Sequence, residues 1–210
     1  MPAKALAWGT QRSASTPPSP LRPRSGASHH HLISPSDVSA TDEHTLRSSM
    51  DDPTQLLNHL AARVRCLEDE REITRVLTRY GFAVDIGDAD ATAALYTDDT
   101  VIDLGPSSQF EGAAGARQLV LDDRHQAIVG RCAHTMGPFV IDINVDGDRA
   151  IATGYVRVYI SDSDMKNPRL WPIGYSRVEL ERSGATWRIA HRLARSVGAD
   201  DGAEVLRTGL

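Results

Sequence analysis

Apolar residues recur at helical spacing in the first half of the patterned region and at strand spacing in the second. From Pro53 to about Gly87, Leu56, Leu57, Leu60 and Val64 share one stripe. Leu67, Ile73, Val76, Leu77, Tyr80 and Val84 follow at mostly three- and four-residue intervals, which predicts a long amphipathic helix. Asp51-Asp52-Pro53 suits its start and Gly87-Asp88 its stop. Ala89 to Tyr96 reads as a short helix, Thr100 to Leu104 as a short strand, and Gly115 to about Val129 as a further helix. After Gly130 the period becomes two: Phe139, Ile141, Ile143 and Val145 alternate with Val140, Asp142 and Asn144. Asp146-Gly147 is a hairpin signal, and Ala150 to Ile160 is the return strand. Ser161 to Pro168 reads as a polar loop, and Gly174 to Leu180 and Trp187 to Leu193 as two more strands joined at Ser183-Gly184. Helices followed by an antiparallel meander predict an α+β fold, with helices covering one face of a curved sheet.

Composition then divides the chain. Over 210 residues the net charge is −5 and 40% of residues are hydrophobic. That suffices for a core and argues against electrostatically driven nucleic-acid binding. Residues 1–50 hold six of the 11 prolines and ten serines, and carry a charge of +2, leaving −7 for the remainder. So little apolar surface cannot offset ordering entropy, so residues 1–50 are expected to be a disordered tail, 51–198 a single domain and 199–210 a C-terminal tail. Met50 is an alternative start. The tail is basic and Ser-rich like a transit peptide, but Pro17, Pro18, Pro20 and Pro23 break any amphipathic helix. Its His29-His30-His31 tract reads as incidental. With no long apolar span and only Cys66 and Cys132, neither a membrane helix nor a disulfide framework is expected, and a cytoplasmic location is.

Several spaced segments carry a family likeness. The run Glu70-Arg71-Glu72-Ile73 to Tyr80, then Asp85, Gly87-Asp88 and Leu95-Tyr96-Thr97-Asp98-Asp99, resembles the opening of SnoaL-like proteins. His134 before a strand, Val145-Asp146-Gly147-Asp148-Arg149-Ala150 and the closing Trp187-Arg188-Ile189 extend the likeness over about residues 52–197. The resemblance implies the nuclear transport factor 2-like superfold, a bent sheet wrapped by helices into a cone with a pocket inside. Dehydratases, ketosteroid isomerases, polyketide cyclases, epoxide hydrolases, dioxygenase small subunits and binding modules share it, so fold does not choose the chemistry.

Tyr80 and Asp85 reproduce the Tyr-x4-Asp of bile-acid dehydratase-like members, and His134 matches their pocket histidine. The resemblance implies His134 as general acid/base, Asp85 as its orienting partner and Tyr80 as a phenolic donor to a carbonyl. It implies no cofactor and no metal. Compared with scytalone dehydratase, Tyr155 to Ile160 lacks a second histidine, Leu104 stands near a tyrosine position, and Gly137 replaces the asparagine of many members. Structural alternatives stand beside these roles. Tyr80 lies on the apolar helix face, and Asp85 is roughly 140° round the helix from it and could simply help end the helix. His134 could be structural.

Strand alternation places His191 inward with Trp187, Ile189 and Leu193, and Arg192 outward. Buried there, His191 would be a neutral imidazole. Asp103, on a strand face with Val101, is a candidate to point into the cavity, where its pKa would be raised. Tyr155 and Arg157, with Tyr159, belong to pocket wall or dimer surface, and His125 and His59 are expected to face solvent. Asp85, His134 and His191 could imitate a metal triad, but no local ligand spacing supports one. The expected activity is a cofactor-independent lyase or isomerase acting on a hydrophobic small molecule, in a homodimer or homotrimer. The alternatives are a non-catalytic ligand-binding or dimerisation module and a dioxygenase small-subunit-like protein.

Overall fold

A computed structural model describes residues 52–162, 164 and 166–210. The first helix, α1 (Pro53–Asp85), starts as the sequence predicts: Asp52 accepts the Thr54 amide at 2.9 Å, with Pro53 in the first turn. Its apolar stripe has two fates. Ile73, Val76, Leu77, Tyr80 and Val84 are buried, whereas Leu56, Leu57, Leu60, Val64 and Leu67 are exposed, because only the C-terminal half of α1 joins the core cluster.

After α2 (Ala89–Ala93) come β1 (Tyr96–Asp103) and β2 (Gln109–Glu111). The helix expected over 115–129 is divided into α3 (Gly112–Leu121) and α4 (Asp123–Gln126). The break falls at Asp122, whose extended backbone (ψ 134) ends one helix while its side chain caps the next through the Arg124 amide at 2.9 Å. β3 (Cys132–Ile143), β4 (Arg149–Ile160), β5 (Arg169–Ser183) and β6 (Thr186–Ser196) complete a six-stranded sheet of order β2-β1-β6-β5-β4-β3. β1 runs parallel to β6, and the other neighbours are antiparallel.

β3 starts well before the visible alternation at Phe139. The register slips between Met136 and Phe139, so the inward set changes parity from His134 and Met136 to Phe139, Ile141 and Ile143, and no single period runs through the strand. The core lies between α1, α3 and the inner sheet face, where Ile102, Ala152, Val178, Leu180, Trp187 and Ile189 are buried. Trp187 also donates its indole N–H to Asp69 of α1 at 3.1 Å.

Residues after 198, expected as a tail, fold back as α5 (Gly202–Arg207), which buries Val205 and brings Thr208 within 3.1 Å of Thr153. The expected disordered segment and its histidine tract lie outside the described residues. No helix among the described residues is long and apolar enough to cross a membrane.

Candidate functional site

Two glycines bring the end of α1 against β3. A Cβ at Gly81 would sit 2.4 Å from the His134 carbonyl oxygen, so only a glycine permits this approach of helix and strand. Further along, the chain leaves the helix through Gly87 at φ +76, and the Asp88 amide returns to the Ala83 carbonyl at 2.9 Å. Asp85, the last helical residue, is thereby fixed over the start of β3.

Asp85 and His134, separated by 49 positions, meet there. The Asp85 Oδ1 lies 2.6 Å from His134 Nδ1, and the His134 backbone amide donates to Asp85 Oδ2 at 2.9 Å. A carboxylate only accepts, so Nδ1 carries the proton and the lone pair of a neutral ring is left on Nε2. Among the described residues no hydrogen bond engages Nε2. The Cys132 thiol donates to the same Oδ1 at 3.3 Å. With side chains 11% and 18% exposed, His134 and Asp85 are withdrawn from bulk water yet still reachable. Burial pushes the Asp85 carboxyl up, but the hydrogen bonds and charge of His134, with the Cys132 thiol, outweigh it and hold Asp85 below the ordinary carboxylate value. Burial first, then the hydrogen bond to Asp85 and the charge of that carboxylate, pushes the Cys132 thiol up to about 12.

His125, expected in solvent, is the second histidine of this corner. Its Nε2–H donates to the Val84 carbonyl at 2.8 Å, and its ring centroid lies 5.6 Å from that of His134. Burial lowers its pKa, with the Val84 carbonyl opposing that shift, which favours the neutral ring.

β6 reverses the expectation for His191. The register shifts so that Glu179 pairs with His191 and Leu180 with Ile189, leaving Ala190 as an extra residue. Such a bulge exchanges the two faces for everything beyond it. Trp187 and Ile189 are buried, and past the bulge the buried positions are Arg192 and Ala194. His191 faces outward against Glu179 at 3.3 Å, so it cannot join Asp85 and His134 in a metal triad.

Arg192, expected outside, is 4% exposed, with its guanidinium 4.2 Å from the Tyr80 ring centroid. Tyr80 in turn meets Tyr96 edge to face, centroids 6.2 Å apart. Among the described residues, Arg192 Nε and Nη1 and the Tyr96 hydroxyl have no hydrogen-bond partner. Burial raises the Tyr96 pKa. The structure thus joins Tyr80 to a buried cation that has no carboxylate partner among the described residues and that residue spacing did not reveal. Strict alternation along β6 misplaces Arg192, and nothing in that segment marks the bulge.

The remaining expected pocket residues lie on the other side of the sheet. Asp103 forms a two-point ion pair with Arg195, both contacts 2.9 Å. Those hydrogen bonds, opposed by slight burial, hold its pKa below rather than above the ordinary value. Tyr155 is exposed and packs edge to face on Tyr175, and Arg157 donates to the Gly137 carbonyl at 2.9 Å. Two clefts of about 510 and 600 Å³ lie along the middle of α1, between Ala62 and Arg75, beside β3, and neither is lined by Tyr80, Asp85 or His134.

The sequence matches the SnoaL-like domain over residues 65–193. An NTF2-like protein of cystatin-like fold from Novosphingobium aromaticivorans is 30% identical, with a TM-score of 0.66, and the match covers 75% of this chain and 98% of that one. A scytalone dehydratase candidate from the same organism superposes with a TM-score of 0.56 at 16% identity, covering 64% and 88% of the two chains. A hexachlorocyclohexane dehydrochlorinase, LinA type 2, gives 0.56 at 16% identity, covering 64% and 89%. No curated protein matches. The domain match spans more than half of the chain and agrees with the six-stranded α+β architecture described above: the protein belongs to the SnoaL-like family, with the NTF2-like, cystatin-like fold.

Proposed function

We propose that the protein is a cofactor-independent lyase or isomerase acting by acid/base catalysis on a hydrophobic, polycyclic or polyketide-like small molecule. The observation that carries the reading is the Asp85–His134 pair: one 2.6 Å hydrogen bond to the ring, with the carboxylate also held by the His134 backbone amide. A base needs a fixed tautomer and a partner that stabilises its protonated form, and Asp85 supplies both. In this reading His134 Nε2 removes a proton next to a substrate carbonyl. The electron pair moves into the enolate, and either expels a leaving group or is reprotonated at another carbon. The negative charge on oxygen calls for donors fixed in advance. Tyr80 takes that role, and the unpartnered Nε and Nη1 of Arg192 add a cation beside it. Two proteins of similar fold are named for eliminations, a dehydratase and a dehydrochlorinase, which favours a lyase over an isomerase.

A second reading, a non-catalytic member whose cone is filled by side chains, draws on the burial of Tyr80 and Arg192 and on two clefts that bypass the dyad. One assay separates the two. Against hydroxy-ketones and steroid-like enones, His134→Ala and Asp85→Asn should each lower turnover by about 10²–10⁴-fold. Turnover unchanged in both removes the roles given to His134 and Asp85, and turnover absent from the wild type across the panel selects the non-catalytic reading. Self-association belongs to the proposal too, through the outer sheet face on which Tyr155, Tyr159, Leu170 and Ile173 are exposed.

A further inference from the structure

We propose that Asp85, Cys132 and His134 form a three-ligand site for a borderline-soft divalent metal ion of the Zn²⁺ type, and that the ion there inhibits rather than assists. One oxygen, one sulfur and one nitrogen from these side chains all lie within 4.8 Å of one another. Cys132 and His134 stand two positions apart on β3, so their side chains leave the strand on the same side. Asp85 closes the triangle from the end of α1, with its Oδ1 3.3 Å from Cys132 Sγ and 2.6 Å from His134 Nδ1. Carboxylate, thiolate and neutral imidazole together carry two negative charges, which match a divalent cation. The sulfur favours zinc, cadmium or cobalt over magnesium or calcium. Zinc–ligand bonds of about 2.0–2.3 Å require the Nδ1–Oδ1 contact to open by less than about 1 Å.

Cys132 gives its thiol proton to solvent. Nδ1, to bind the metal, gives up the proton it donates to Asp85, and the neutral ring regains one on Nε2. One proton is released net, and water completes the coordination. A His134 ring that carries its proton on Nε2 has no lone pair there, so an occupied site disables the base. Metal binding stands on the geometry alone. Only its inhibitory effect rests on the reading of His134 as a base.

The test is cobalt titration of the full chain. Co²⁺ bound through a thiolate gives a near-ultraviolet charge-transfer band that histidine or carboxylate sites elsewhere in the chain cannot produce. The expected band appears in wild type and in Cys66→Ala, and is lost in Cys132→Ala. In His134→Ala the apparent affinity falls at least tenfold. Alkylation of the wild type, mapped by mass spectrometry, removes any dependence on the variants' folding: Zn²⁺ should slow modification of Cys132 and leave that of Cys66 unchanged. No band in the wild type, a band that follows Cys66, or equal alkylation of Cys132 with and without Zn²⁺ overturns the proposal. Catalytic inactivity with the band present removes only the acid/base reading.

Discussion

The two faces of one sheet treat charge in opposite ways. On the outer face Arg195 is gripped by Asp103 and Asp201, and Glu179 lies between Arg177 and His191. On the inner face, Arg192 comes from the same strand as Arg195, yet it rests on the Tyr80 ring with two of its nitrogens unpartnered. Paired outer charges remain in contact with water, so they cost little and contribute little. A buried guanidinium without a carboxylate sets its desolvation against the Tyr80 ring and the neighbouring Tyr80 and Tyr96 hydroxyls. In the proposed reaction such a cation would meet the negative charge that develops on the substrate oxygen.

The sharpest way to break this contrast is Arg192→Met. Removal of a poorly compensated buried charge should raise stability by about 1–4 kcal/mol in urea denaturation, while turnover falls by about 10²–10³-fold. A destabilised Arg192→Met would mean that the guanidinium holds the fold together and would end the contrast. The inner face is also sterically closed at the dyad. Gly81→Ala puts a methyl group against the His134 carbonyl at a distance real side chains do not reach, and should cost about 1–3 kcal/mol while parting Asp85 from His134.

On the outer face the expected effects are smaller. Asp103→Asn should cost about 1 kcal/mol at neutral pH, the upper range for a partly exposed two-point pair. Because Arg195 lowers the folded-state pKa of Asp103 below its ordinary 3.8, this contribution is complete above that value and is lost as pH falls through the lowered one. Thermal melts of wild type and variant should therefore converge in acid. His191→Gln is the mildest: it removes only a part-buried contact to Glu179 and should change stability by less than about 0.5 kcal/mol. Turnover should be untouched, and a large loss would return His191 to the site.

Much of the fold was legible because it rests on repeated local patterns. The three- and four-residue spacing through Val84 and the alternation from Phe139 to Ile160 each report burial of one face, and the ordered segments from Glu70 to Ile189 carry the family likeness. Of the site, Tyr80, Asp85 and His134 were visible only through that likeness. Asp85 and Tyr80 do not share a helix face, and the contact with His134 depends on where α1 stops and how closely Gly81 lets β3 approach. Cys132 and His125 carried no signal at all, since a lone thiol and a helical histidine read alike in a corner or in solvent.

The chain by itself determined that helices precede a meander, where the main turns fall, and which family the domain joins, because hydrophobic periodicity and turn residues act locally. Tertiary structure alone decided which charges are inside. Along β6, Trp187, Ile189, His191 and Leu193 alternate with Arg188, Ala190, Arg192 and Ala194, and either set can complete a plausible inner face. One extra residue at Ala190 exchanges the sets beyond it, because side chains alternate with a period of two and a shift of one reverses them all. That shift put His191 against Glu179 on the outer face and Arg192 against the Tyr80 ring.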